Sequence, residues 1–298
     1  MLEHRGRAMG TTVHIVIGGG SMELLDALHA RLEALESRWS RFIETSEINA
    51  LNADPDRWRV VSPETALLVA RAKTGWEMTG GAFDPTVLDA VVAHGYRTTY
   101  HDLRGDSIEA RPARPAVGCA EFAVHLDTCL VHLGAGAAFD PGGIGKGLAA
   151  DLLVDEAIRA GASGALVNIG GDLSCRGHGP DGDRWLVGLP ERPRGSNPQT
   201  TIAVTGGGIA TSTTSKRRWS TTDGADHHHL VDPRSGRNTA GINSATVVAA
   251  TGWWAEVVAK QLLVEGMGAP VDTDRAAALV VDDDGGHHRI GDFGRYVR

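Results

Sequence analysis

Apolar and polar positions nearly alternate over residues 11–17 (TTVHIVI), the period of a half-buried strand. From 21 to 39 the period lengthens. Leu24, Leu28, Leu32 and Leu35 fall on one helical stripe behind Ser21, which predicts an amphipathic helix with that serine as its N-cap. Ser62-Pro63-Glu64 sets a capping hydroxyl, a proline at the first helical position and an acid in the first turn. That order predicts a helix running to about Thr79, where Gly80 and Gly81 stop it. After a polar stretch at 101–118, short strands are expected at 121–126 and 130–133, then a helix over 146–159 ended by Gly161. Strands at 165–169 (ALVNI), 184–189 (RWLVGL) and 201–205 follow, then a helix over 253–264 and a closing hairpin, AALVVDDDGGHHRI. Asp and Gly are standard turn residues, so the acidic run 282–284 reads as that hairpin's turn rather than as a metal cluster.

Strands and helices are mixed rather than strictly alternating. This predicts an α+β fold, with mixed, largely antiparallel sheets and packed helices, instead of a doubly wound sheet. No internal repeat, linker or low-complexity tract divides the chain, and the expectation is one domain over 1–298.

Composition narrows the function classes. Hydrophobic residues make up 42% of the chain, enough for a substantial core, and the 39 glycines favour many turns and close backbone approaches. A net charge of −8 argues against a general binder of nucleic acid or of anionic membranes, so no partner of either kind is expected. The N-terminal stretch has a basic start but no signal-peptide apolar core, and no segment approaches the roughly 20 apolar residues of a membrane-spanning helix. Cys119, Cys129 and Cys175 lack a metal-ligand spacing; their odd count reads as reduced thiols in the cytoplasm rather than a Cys119–Cys129 disulfide.

Five turns rich in glycine, aspartate or hydroxyl groups lie at the ends of apolar strands or the starts of helices. They are GGAFDPT (80–86), DPGGIGKG (140–147), NIGGDL (168–173), IATSTTS (209–215) and HLVDPRSG (229–236). Each alone reads as an ordinary turn. The second is neither of the familiar phosphate loops. Gly145-Lys146 is followed by Gly147 instead of a hydroxyl, and Asp140 stands where a Walker loop needs glycine. Nor do Gly143, Gly145 and Gly147 have the spacing of a dinucleotide fingerprint. Taken together, the five turns point to a phosphate-bearing ligand, because exposed backbone N–H groups beside a helix start form an anion site.

The set resembles a known family. MGT (9–11), SRFIETSEINALN (40–52), GGAFDPT, D-x-GGIGKG-x-A-x-D, NIGGDL, ATS (210–212) and H-x-x-DP-x-SG occur in the order found in ApbE-like FAD:protein FMN transferases. Members bind FAD and, with Mg²⁺, move its FMN half onto a threonine or serine hydroxyl of an acceptor protein, releasing AMP; some hydrolyse FAD to FMN and AMP. The resemblance implies that Met9, Phe42, Ala82, Phe83, Asp84 and Leu230 line the FAD site, with Asn168 and Asp172 nearby. It also implies that Lys146 neutralises a phosphate oxygen and that Thr211 and Ser212 donate to phosphate. His229, in the H-x-x-DP turn, is the implied base, since an imidazole can accept a hydroxyl proton near neutral pH. His227 and His228 do not make a metal site with it, because adjacent residues on a strand face opposite ways.

The chain departs from the family pattern at the metal. Family members take an Asp and a Thr four residues apart on a late helix, plus a carbonyl from the glycine-rich loop. Here those positions hold Glu256, Lys260 and Gly145. Glutamate can still ligate Mg²⁺, but its longer arm shifts the ion, and a protonated lysine cannot ligate. Glu256 and Lys260 form either an ordinary i,i+4 pair or a site in which the Lys260 ammonium takes the cation's region. Thr213 stands where the family usually has glycine after ATS, and its Cβ is expected to crowd a phosphate. Three activities therefore stay open: flavin transfer, FAD binding without catalysis, and FAD hydrolysis.

Overall fold

The computed structural model describes residues 1–103, 108–180, 182–189 and 200–298; part of the polar stretch expected at 101–118, residues 104–107, lies outside them. Among the described residues the first half of the chain runs β1 (Leu2–Ala8), β2 (Thr11–Gly18), α1 (Met22–Trp39), α2 (Glu47–Ala53), β3 (Arg59–Val60), α3 (Pro63–Met78), α4 (Leu88–Ala93), β4 (Ala123–His125) and β5 (Leu130–His132). Then come α5 (Gly145–Arg159), β6 (Gly164–Ile169), β7 (Asp172–Gly177), β8 (Trp185–Gly188), β9 (Thr201–Val204) and β10 (Gly207–Thr213). The last third adds β11 (Arg218–Ser220), β12 (Asp226–His228), β13 (Ile242–Ala249), α6 (Gly252–Glu265), β14 (Ala276–Asp282) and β15 (His287–Ile290).

Eight strands form one sheet in the order β1-β2-β6-β7-β10-β13-β14-β15, and every neighbouring pair is antiparallel. The fold is α+β, and both ends of the chain enter the same sheet. Period-two burial gives the sheet two covered faces. Val13, Ile15, Ile17, Val167 and Val247 face α1, α5 and α6, whereas Val16, Leu166 and Val248 face the β8–β9 hairpin and Phe293. α1 buries Leu25, Leu28, Leu32, Leu35 and Trp39, with Leu24 at the margin, and Ser21 caps it by accepting from the Leu24 amide at 3.2 Å. Ser62 caps α3 in the same way through the Thr65 amide. A third cluster, with Val91, Tyr96, Ile108 and Trp219, packs α4 against β11 at one side.

IATSTTS is a strand rather than a turn over most of its length. Thr211, Ser212 and Thr213 pair with Thr246, Ala245 and Ser244 of β13, as suits β-branched residues inside a sheet. The three cysteines are free.

Candidate active site

A cavity of about 760 Å³ opens between the helical face of the sheet and the α4–β11 cluster. Tight hairpins and loop caps aim the side chains around it. β1 and β2 join through Met9 and Gly10, both left-handed (φ 51° and 68°), the conformation a two-residue hairpin with right-handed twist requires. This puts Met9 on the cavity wall. In GGAFDPT, the Phe83 amide donates to Thr79 Oγ1 at 3.0 Å, and Asp84 Oδ1 accepts from the amide and hydroxyl of Thr86 at 2.8 and 2.6 Å. Burial raises the Asp84 pKa, and Ala82, Phe83 and Asp84 all line the cavity.

The glycine-rich loop is built by Asp140. Its backbone amide donates to the Pro85 carbonyl, and its Oδ1 accepts from Gly142 at 2.8 Å, which starts the short 3₁₀ turn Pro141–Gly143. α5 begins directly after, so Lys146 stands in its first turn. The ammonium of Lys146 is held between Asp172 and Glu256, in direct contact with Asp172 and 3.1 Å from Glu256 Oε1. Glu256 is wholly buried; its Oε2 accepts from the Gly147 amide at 2.8 Å, and Lys260 Nζ lies 3.5 Å from its Oε1. Burial works against ionisation of this cluster. It pushes Lys146 down to about 8 and lowers Lys260, while Glu256 is held below its usual value against burial by Lys146 and Lys260.

The closing aspartate of DPGGIGKGLAAD has a different task. Asp151 accepts from the amides of Gly252 and Trp253 at 2.8 and 3.0 Å, capping α6, whose own Thr251 makes no side-chain cap bond. Burial raises the Asp151 pKa to about 6. One motif therefore places Lys146 and also anchors the helix that carries Glu256 and Lys260.

His229 follows β12 and lines the cavity beside Leu230. Its Nδ1 is buried and has no partner among the described residues. Burial first, then the charges of Arg217 and Lys260, hold its pKa well below 6.5, so the imidazole is neutral at neutral pH. Its neighbours are engaged elsewhere: His227 Nδ1 meets Asn238 Oδ1 at 2.9 Å, and His228 Nε2 meets the Thr239 carbonyl at 3.1 Å. Asp232 shapes the turn by accepting from the Arg234 amide and the Ser235 hydroxyl.

Met9, Phe42, Ala82, Phe83, Asp84, Gly145, Lys146, His229, Leu230 and Lys260 are thus brought to one cavity. Asn168, Asp172, Thr211, Ser212 and Glu256 are not on its wall. Asn168 accepts from Gly171 inside the β6–β7 hairpin, and that hairpin delivers Asp172 to Lys146. Thr211 bonds the Thr246 hydroxyl at 3.0 Å, Ser212 is buried in the sheet, and Thr213 pairs with Ser244 away from the wall. Two further residues at the cavity are not singled out by the sequence, although Arg41 lies within SRFIETSEINALN. Arg217 reaches it from a left-handed backbone position (φ 50°). Arg41 sits 4.1 Å over Phe42 and 4.7 Å over Tyr96, 3.5 Å from Asp140.

These residues do not fit a divalent ion. Mg²⁺ needs an octahedron of oxygens at short range. Both Glu256 oxygens are already engaged, with two ammonium groups and an amide against them. Among the described residues no group of three His, Cys, Asp or Glu side chains could hold a metal.

A model of the ApbE family matches residues 9–277. An FAD:protein FMN transferase of Klebsiella pneumoniae (strain 342) is 28% identical over 264 residues, covering 83% of this chain and 73% of that protein. Its counterpart in Escherichia coli (strain K12) is 27% identical over 292 residues, covering 93% and 82%. Among solved structures, the ApbE protein of Thermotoga maritima MSB8 superposes with a TM-score of 0.86 at 27% identity, covering 100% of this chain and 99% of that one. The flavin transferase ApbE of Vibrio cholerae shares the fold, with a TM-score of 0.78 at 23% identity over 99% and 98% of the chains.

Proposed function

The chain belongs to the ApbE family, and from that premise we propose that it cleaves FAD and moves the FMN half to a threonine or serine hydroxyl of an acceptor protein. The observation that carries this reading is the meeting of a neutral, half-buried imidazole, His229, with the cationic side chains of Lys146, Lys260 and Arg217 around one cavity. The acceptor oxygen attacks the flavin-side phosphorus and a new O–P bond forms. The bond from that phosphorus to the bridging oxygen breaks, and AMP leaves with the bridging oxygen. The hydroxyl proton passes to His229.

Charge develops on the departing phosphate, where the fixed cations stabilise it more than they stabilise the bound substrate. Asp172 orients Lys146 rather than touching the ligand. The apolar side, with Met9, Phe42, Phe83 and Leu230, suits an isoalloxazine ring, and Thr211 and Ser212 serve the sheet. No step passes through a divalent ion. We take the whole chain as one working unit acting in the cytoplasm; its free thiols support that compartment, and among the described residues no helix is long and apolar enough to cross a membrane.

The Glu256–Lys260 pair, which occupies the Glu256 carboxylate, favours FAD binding without turnover as the second reading. Incubating the protein with FAD and a flavin-acceptor protein, then measuring AMP and protein-bound flavin fluorescence, separates the readings. Flavin transfer yields both products. AMP with free FMN in the absence of acceptor indicates hydrolysis, and tight FAD binding with no AMP indicates the second reading.

A further inference from the structure

We propose that Lys260 supplies from within the chain the positive charge that a divalent ion would bring to the FAD pyrophosphate, so that FAD is bound and cleaved without a divalent metal. This rests on the reading of the same site given above.

The two lysines at the cavity floor are not equivalent. Lys146 is held by two carboxylates of the protein, clamped between Asp172 and Glu256, and acts on the ligand from that fixed position. Lys260 has one ion-pair partner among the described residues, Glu256 at 3.5 Å, a longer contact that leaves donors of its ammonium to turn elsewhere. One turn of α6 separates Lys260 from Glu256, so both project from the same helical face. The stem of Lys260 runs along the glycine-rich loop: a Cβ built on Gly143 would stand 3.7 Å from Lys260 Cγ. The ammonium consequently emerges beside that loop, on the cavity wall, with 15% of its side chain exposed.

Glu256 completes the argument. Its buried charge is already compensated by two ammonium groups and the Gly147 amide, so a divalent ion would have to displace them to reach it. Without an ion, the pyrophosphate meets Lys260 directly, with Arg217 and Lys146 close by. These charges act in a site removed from bulk water, where one well-placed cation has a large effect.

The test compares FAD affinity, and AMP formation with a flavin-acceptor protein present, in EDTA and in Mg²⁺, for the unaltered protein, Lys260→Met and Lys260→Arg. FAD affinity of the unaltered protein should differ by less than about twofold between the two conditions, with no Mg²⁺ uptake by calorimetry. Lys260→Met should weaken FAD binding by roughly 10- to 100-fold in both conditions, the loss of one charge-assisted contact, and Lys260→Arg should recover most of it. A gain in FAD affinity of about tenfold or more on adding Mg²⁺ to the unaltered protein would overturn the proposal, as would unchanged affinity in Lys260→Met. AMP formed only with Mg²⁺ would overturn it while leaving flavin transfer standing. AMP absent in both conditions would overturn flavin transfer and with it the cleavage half of the proposal, and the binding comparison would still decide whether Lys260 replaces the ion in holding FAD.

Discussion

Gly147 and Gly252 meet back to back where two helices begin: a Cβ on Gly147 would lie 2.3 Å from the Gly252 carbonyl oxygen and 2.8 Å from the Trp253 amide nitrogen. Every atom in that contact is backbone, so no side chain can yield. The contact sets how closely α5 approaches α6, and hence how Lys146 meets Glu256. Gly147→Ala should cost about 1–3 kcal/mol or more through overpacking, and it should weaken FAD binding by pulling Lys146 off Glu256. Thermal unfolding and a flavin fluorescence titration on the same variant check both effects; unchanged stability would show that the helices can separate freely.

Removing the Lys146 charge leaves Asp172 and Glu256, 2% and 0% exposed, facing each other with less compensation. Lys146→Met should therefore destabilise the protein by roughly 3–5 kcal/mol, the cost of stranding a buried ionic partner. Adding Asp172→Asn should return part of that stability without returning FAD affinity. Denaturant unfolding of the single and double variants measures the coupling, and simple additivity would contradict it.

Much of this scaffold is legible in the sequence because caps and stripes are local. Ser21, Ser62 and the leucine stripe of α1 act within a few residues of themselves. β1 is not legible, because Glu3, Arg5 and Arg7 give an exposed edge strand the composition of a loop. The hydroxyl-rich run 209–215 misleads in the opposite direction: its threonines match turn chemistry, but pairing with β13 decides its conformation. In the site, the glycine-bearing loops announce themselves through backbone demands. Arg217 and Arg41 do not, since their placement depends on one left-handed residue and on a distant ring and carboxylate.

His229 is held well below 6.5 by burial and neighbouring cations, so it is an unprotonated base throughout the neutral range. kcat/KM for AMP formation should stay level as pH falls past 6.5 and decline only well below that value, where the free imidazole takes up its proton. Bound pyrophosphate offsets the nearby cations and raises the imidazole pKa, so kcat should begin to fall at a higher pH than kcat/KM. His229→Gln should lower kcat by about 10²- to 10⁴-fold with FAD affinity nearly kept. A kcat/KM midpoint at or above 6.5 would remove His229 from the role of base.

Arg217 separates stability from function. A left-handed non-glycine residue is strained by roughly 1–2 kcal/mol, and Arg217 stands at φ 50° on the cavity wall. Arg217→Gly should fold at least as stably as the unaltered protein, yet KM for FAD should rise about tenfold or more with the loss of a cation. If melting temperature and KM both stay unchanged, Arg217 is a turn residue only.

Lys146 and Glu256 lie 110 positions apart in the chain, which ties completion of the site to the release of α6. A nascent chain that has not yet released α6 carries the complete glycine-rich loop but lacks Glu256 and Lys260. The cluster is complete only once α6 packs on α5, where Asp151 accepts from its first amides. A chain cut before Gly252 should therefore fail to retain FAD, whereas one that runs past Glu265 already carries both Glu256 and Lys260.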